Sequence, residues 1–182
     1  MICFDIDGVL AKYVKEDYKD ENGVENYKFL RPHYFLERDE DPFGIALINM
    51  CIDYFPSDTF IVTGVTPDLK YRNKIIIDKI NWVDIKIPKL DIGTKFMATS
   101  SPKTEFIENI RGGSLTKRDI LFDDYNKNLY AWLSRGGSAI KFRNEHNSDW
   151  SGKQVMSNIL TGKSMNDALQ DAFNVILDIL SN

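Results

Sequence analysis

Met1-Ile-Cys-Phe-Asp5-Ile-Asp7-Gly-Val-Leu10 opens the chain: a short apolar run delivers two carboxylates two residues apart, and a glycine follows at once. Residues 2–6 read as a buried strand. A strand turns residues i and i+2 to the same face, so Asp5 and Asp7 are expected side by side at its carboxyl end. Two like charges so placed repel each other. A cation belongs there, and the rest of the chain must show which.

Outward from this stretch the pattern changes twice. Residues 12–42, KYVKEDYKDENGVENYKFLRPHYFLERDEDP, are polar, charged and rich in tyrosine. Asn22-Gly23 lies there between short alternating segments and predicts a β-hairpin. This stretch reads as an insertion, leaving 1–11 and 43–182 as the core. Residues 43–55 carry Ile45, Ile48, Ile52 and Phe55 at helical spacing. The β-branched and aromatic stretch 59–63 predicts a second buried strand ending at Gly64. Thr66 and Pro67 predict an N-cap and a first helical residue, with Leu69, Ile76 and Ile80 on one face. Residues 83–87 read as a short third strand. Ser101-Pro102 predicts another helix start, with Phe106, Ile107 and Ile110 as its apolar stripe and Gly112-Gly113 as its end.

Residues 119–122 predict a fourth strand running into Asp123-Asp124. Leu129, Trp132 and Leu133 mark a helix closed by Gly136-Gly137, and 138–142 predict a fifth strand. Ser164 with Asp167 predicts a capping-box start for an amphipathic C-terminal helix bearing Ala168, Phe173, Ile176, Leu177 and Leu180. Strands alternating with helices predict an α/β fold: a Rossmann-like parallel sheet flanked by helices. Such sheets bind ligands beyond the carboxyl ends of their strands.

The bulk composition fits this picture. The 182 residues suit one domain with a small insertion, and 43% hydrophobic with 27% charged residues is ordinary for a globular chain. A net charge of -4, with no concentrated Lys/Arg stretch, argues against a dedicated nucleic-acid binder. Cys3 and Cys51 lie in apolar segments without CxxC or Cys/His spacing and read as buried free thiols in a reducing compartment. Carboxylates beginning at Asp5 leave no room for an apolar leader. No run approaches the roughly 20 apolar residues of a membrane span. A cytoplasmic protein is expected, with no membrane partner.

Three strand ends then converge. The first delivers Asp5 and Asp7, the second Thr63 and Gly64, the fourth Asp123 and Asp124, and Lys103 lies at the start of a helix beside them. The candidate ligands are all oxygens, which points to a hard cation, Mg²⁺ rather than zinc. A threonine hydroxyl, backbone N–H groups and a lysine are what a phosphate oxygen needs. The combination reads as a phosphoryl-transfer site. A lysine in the first turn of a helix opposes the macrodipole, and an anion held there would account for it. Lys95 and Lys117 are alternatives to Lys103. Asp124 reads equally as a metal ligand or as the N-cap of the following helix. His33 and His146 are too isolated to be ligands.

The ordered set Asp5-x-Asp7-Gly-Val9, Ile-Val-Thr63-Gly64, Lys103 and Ile-Leu-Phe-Asp123-Asp124 resembles the four motifs of the haloacid dehalogenase superfamily of phosphohydrolases. The likeness spans residues 2–142, and the segment 119–126 with Gly-Gly-Ser-Ala-Ile-Lys downstream resembles small 5'-nucleotidase-like members. The resemblance implies a Mg²⁺-dependent phosphatase acting on a small phosphorylated substrate such as a nucleotide. It makes Asp5 the nucleophile and Asp7 the general acid and base, with the Asp7 backbone carbonyl on the metal. It makes Thr63 and Gly64 the phosphate-binding pair. Lys103 neutralises the phosphate and Asp5, and Asp5, Asp123 and Asp124 are metal ligands. Residue 9 is Val where many members carry Thr, and both occur.

The same resemblance implies that 12–42 is a small C1-type cap. Tyr13, Tyr27, Phe29, Tyr34 and Phe35 are either stacking surfaces for a substrate or the residues that pack the cap onto the core. Arg31, His33 and Arg38 are candidate anion contacts. A polynucleotide 3'-phosphatase, a phosphotransferase or a non-catalytic phosphate-binding module would use the same motifs.

Overall fold

The structure is a computed structural model, and it describes residues 1–14, 30–31, 33–144, 147 and 149–181. The hairpin expected around Asn22-Gly23, together with Tyr27, Phe29 and His146, lies outside the described residues.

Its elements run in the order β1 (Ile2–Phe4), α1 (Pro42–Tyr54), β2 (Thr59–Gly64), α2 (Leu69–Lys86), α3 (Ile92–Lys95), β3 (Phe96–Thr99), α4 (Lys103–Arg111), β4 (Ile120–Asp123), α5 (Asn126–Ser134), β5 (Ser138–Arg143), β6 (Gln154–Met156), α6 (Asn158–Thr161) and α7 (Met165–Ser181). The strands form one six-stranded sheet in the order β3-β2-β1-β4-β5-β6, and every neighbouring pair is parallel. This is the α/β, Rossmann-like architecture that the alternation of elements predicts. β1 lies at the centre, with Cys3 opposite Phe60 on one side and Leu121 on the other.

Alternation along β1 builds two cores. Ile2 and Phe4 face a layer made by Phe43, Leu47 and Cys51 of α1, Trp82 and Val83 of α2, and Phe173 and Ile176 of α7. Cys3 faces the opposite layer with Ile107 of α4 and Leu129 and Trp132 of α5. The Phe4 and Phe122 rings stack across the β1–β4 pair at 4.5 Å. A strand buried on both faces carries no polar residue, which is why its first carboxylates appear only past Phe4. Cys3 and Cys51 are buried and free. Among the described residues, no helix is long and apolar enough to cross a membrane.

Three local expectations are corrected. Residues 83–86 belong to α2 with Ile87 as its C-cap, and the third strand is Phe96–Thr99. Trp82, Val83 and Ile87 are buried while Ile85 is 65% exposed. This is the i, i+1, i+5 face of a helix, whereas a strand would put 83, 85 and 87 together. The cap of α2 is Asp68, whose carboxylate accepts from Lys70 N–H at 2.9 Å; Thr66 instead accepts from Asp68 N–H. Leu69 of the expected stripe is 75% exposed, as are Ile110, Leu133 and Leu177 in part. The helix start expected at Ser101-Pro102 is found: Pro102 holds the N-cap position of α4, and Ser101 N–H donates to the Thr99 hydroxyl. The capping at Ser164 is as expected: its hydroxyl accepts from Asp167 N–H and donates to the Asp167 carboxylate.

The stretch 12–42 leaves and re-enters the core at one place. Ala11 bridges Glu40 antiparallel, Lys12 N–H donates to Asp39, and Asp41 N–H donates to Leu10. Asp41 then caps α1 through Gly44 N–H, with Pro42 in the first turn. Of its aromatic residues, Tyr34 and Phe35 are buried against Ile75 of α2, and Trp82 Nε1 donates to the Arg38 carbonyl at 2.8 Å. These two rings therefore pack the segment onto the core. Arg31 pairs with Glu37, and Arg38 donates to the Tyr34 hydroxyl.

The helical assignment of 83–87 is open to a direct check by urea denaturation. Ile87→Ala should cost about 2–5 kcal/mol by leaving a cavity. Ile85→Ala should stay within about 0.5 kcal/mol, as at other exposed positions. Equal losses at the two positions would contradict the helix.

Candidate functional site

The site is built at the carboxyl end of the two central strands. Asp5 N–H makes the last β1 ladder bond, to Phe122 at 3.0 Å. The chain then coils tightly, the Ile6 carbonyl accepting from the N–H groups of Val9, Leu10 and Ala11. The two carboxylates therefore do not share a strand face: Asp5 ends the strand, Asp7 lies in the turn, and each meets its own lysine. Gly8 sits in this turn at φ 75°, and a Cβ there would lie 2.2 Å from Asp124 Oδ2. Only glycine lets the turn approach that carboxylate.

Lys103 opens α4 and is buried. Its ammonium lies 2.8 Å from Asp5 Oδ2 and 2.6 Å from Asp123 Oδ2. The remaining acceptors are also used: Ile6 N–H donates to Asp5 Oδ1, Tyr125 N–H to Asp123 Oδ1 and Asn128 Nδ2 to Asp123 Oδ2. Burial opposes the charge on Lys103, but Asp123 and Asp5 outweigh it and raise its pKa. Burial raises Asp123 as well, with Lys103 opposing and Asp5 reinforcing. Of the alternatives to Lys103, Lys95 donates to the Ser57 carbonyl and lies over the Phe60 ring. Lys117 meets Ser138 through its carbonyl.

Asp124 does not cap α5; the N-cap position is Tyr125, with no side-chain cap bond. Its Oδ2 accepts from Asn144 Nδ2, which follows β5 and also reaches the Gly8 carbonyl. One carboxylate oxygen from each of Asp5, Asp123 and Asp124 lies within 4.8 Å of the others. Burial, then the charges of Asp123 and Asp5, push the Asp124 carboxyl up to about 7. Lys141 of β5 is buried nearby and bonds to Asn126, and burial lowers its pKa.

A second buried lysine joins the other predicted residues. Lys79 of α2 lies 2.6 Å from Asp7 Oδ2, 2.9 Å from the Thr63 hydroxyl and 2.9 Å from the Gly64 carbonyl. Thr63 is buried at the end of β2, and the space where a Gly64 Cβ would point holds no atom within 4 Å. The structure thus brings Asp5, Asp123, Asp124 and Lys103 into one cluster and Asp7, Thr63 and Gly64 around Lys79. Sequence reasoning missed Lys79, Asn128 and Asn144. Lys79 had a signal: it falls between Ile75 and Trp82/Val83 on the buried stripe of α2, a charge where the pattern demands an apolar residue.

The donor set suits a hard divalent cation. Among the described residues, Asp5 and Asp123 meet the Lys103 ammonium and Asp7 the Lys79 ammonium, while Asp124 meets the Asn144 amide. All the groups offered are oxygens. In comparisons with models of protein families and with curated proteins, none matches this chain.

A pH prediction follows from Asp124. With the folded pKa near 7 against the usual 3.8, the metal-free folded state binds more protons between these values. Its stability should therefore fall as pH rises through that window. Asp124→Asn should remove much of this slope in urea midpoints measured in EDTA. The same slope in both proteins would contradict the placement of Asp124.

Proposed function

We propose that the chain is a Mg²⁺-dependent phosphatase of the haloacid dehalogenase type, hydrolysing a small phosphomonoester through an aspartyl-phosphate on Asp5. The observation that carries the reading is the buried Lys103, bridging Asp5 and Asp123 beside the Asp124 carboxylate. Asp5, Asp123 and Asp124, with the Asp7 carbonyl, would hold Mg²⁺, which supplies positive charge next to the nucleophile and the phosphate.

Asp5 attacks phosphorus, and the bond to the leaving oxygen breaks. Lys103 holds the Asp5 carboxylate in place through Oδ2 while Ile6 N–H fixes Oδ1, so the nucleophile does not have to be oriented by the substrate. Thr63 and the Gly64 N–H take the phosphate oxygens in the open space at the end of β2. Asp7 gives a proton to the leaving oxygen and takes one from the water that hydrolyses the Asp5 ester.

A small nucleotide-like leaving group has support from one feature. A cavity of about 220 Å³ opens beside Gly8 and Asn144, with Lys12, Tyr13 and Arg143 in its wall. It offers an aromatic face and cationic groups next to the residues that touch Asp124. The reading places the enzyme in the cytoplasm, in keeping with its two buried free thiols, and makes 12–42 its small cap.

Purified protein should release phosphate from an aryl phosphate in Mg²⁺ and lose this in EDTA. Asp5→Asn should lower turnover by at least about 1,000-fold, the scale of losing a nucleophile. Wild-type turnover in Asp5→Asn would remove the assigned nucleophile. Mononucleotides set against end-phosphorylated oligonucleotides would read the substrate class, with faster turnover of mononucleotides expected.

A further inference from the structure

Lys79 is buried to 1% exposure, and its ammonium has all three protons engaged, on Asp7 Oδ2, Thr63 Oγ1 and the Gly64 carbonyl. Phe35 roofs it, the ring centroid 4.5 Å from Nζ. Burying an ammonium is costly unless it is paired and hydrogen-bonded, and each of its bonds goes to the turn after β1 or to the end of β2. Asp7 is held unevenly: Oδ2 is fixed by Lys79, while Oδ1 is buried and accepts no hydrogen bond.

We propose that Lys79 is a positioning residue for the leaving group: by clamping Asp7 Oδ2 it aims Asp7 Oδ1 at the departing oxygen. This deepens the phosphatase reading above and rests on it. The same ammonium donates to Thr63 Oγ1, which leaves the hydroxyl hydrogen for a phosphate oxygen. One side chain therefore sets the two groups that bracket the bond to be broken. As the Asp5–phosphorus bond forms, the electron pair of the breaking bond goes to the leaving oxygen, which takes the proton from Asp7. In the second half, water adds to phosphorus, Asp7 recovers a proton from it, and Asp5 is released. Lys79 is unchanged throughout.

The test compares two leaving groups in the holoenzyme. An alkyl phosphate such as glycerol phosphate needs its leaving oxygen protonated; para-nitrophenyl phosphate, whose product anion is delocalised, needs this far less. Any loss through Thr63 falls on both substrates, so the ratio of the two kcat values reports Asp7 alone. Lys79→Met should raise the nitrophenyl-to-glycerol ratio by about 10–100-fold, reaching the lower limit of the roughly 100–10,000-fold typical of general acid catalysis. Lys79→Arg keeps the charge but replaces the three-way clamp by a planar fork, and should raise the ratio in the same direction should Lys79→Met fail to fold. Asp7→Asn should raise it as well, and adding Lys79→Met to Asp7→Asn should change it no further.

An unchanged ratio in a folded Lys79 variant, with wild type active on both phosphates, would overturn the role of Lys79 and leave the phosphatase reading standing. A wild-type protein that hydrolyses neither phosphate in Mg²⁺ would overturn both.

Discussion

Four carboxylates are packed around the ends of two central strands, and their mutual repulsion is the constraint the rest of this structure answers. Isolated buried charges are expensive. The fold meets the cost with two lysines drawn from helices on either side. Lys103 ties Asp5 to Asp123, and Lys79 ties Asp7 to the end of β2. Asp124 accepts from the Asn144 amide, and burial beside Asp123 and Asp5 pushes its carboxyl up to about 7. Asp124 is therefore the acid of the four that meets no ammonium among the described residues, and the proposed metal would lie against it.

The sheet order makes this arrangement possible. With β1 between β2 and β4, the chain turns outward in both directions from its first strand, and the loops after β1, β2 and β4 open on one crevice. This is the place where open parallel sheets receive ligands. The helices contribute through their starting points and buried stripes. α4 begins at Lys103, which places that ammonium at the crevice rather than along the helix. α2 passes under the segment 33–39 and carries Lys79 on the face that Phe35 and Tyr34 cover. The segment 33–39 is thereby coupled to the end of β2 through one buried side chain.

Much of this was legible in the sequence because strand ends announce themselves. A run such as Ile-Leu-Phe-Asp123-Asp124 has one reading when both faces of the strand are buried, and Asp5, Thr63, Asp123 and Asp124 were placed that way. β3 was not legible. Phe96–Thr99 is short and has one β-branched residue, while Val83, Ile85 and Ile87 alternate as a strand would. Only burial separates the two cases, with Ile85 turned to solvent. Lys79 was obscured for a related reason: its partner Asp7 is far away in sequence, and a lysine in a helix ordinarily faces water. Asp7 itself was located correctly, but strand periodicity gave it the wrong neighbour. The chain coils after Asp5, and Asp7 faces Lys79 instead of Asp5.

The most direct measurement is a chemical trap of the covalent step. Protein turning over a phosphomonoester in Mg²⁺ would be quenched in acid, reduced with borohydride and mapped by peptide mass spectrometry. Reduction converts a phosphorylated aspartate to homoserine, and the account predicts this conversion at Asp5 alone. Turnover with no converted aspartate, or conversion at Asp7, Asp123 or Asp124, would contradict it.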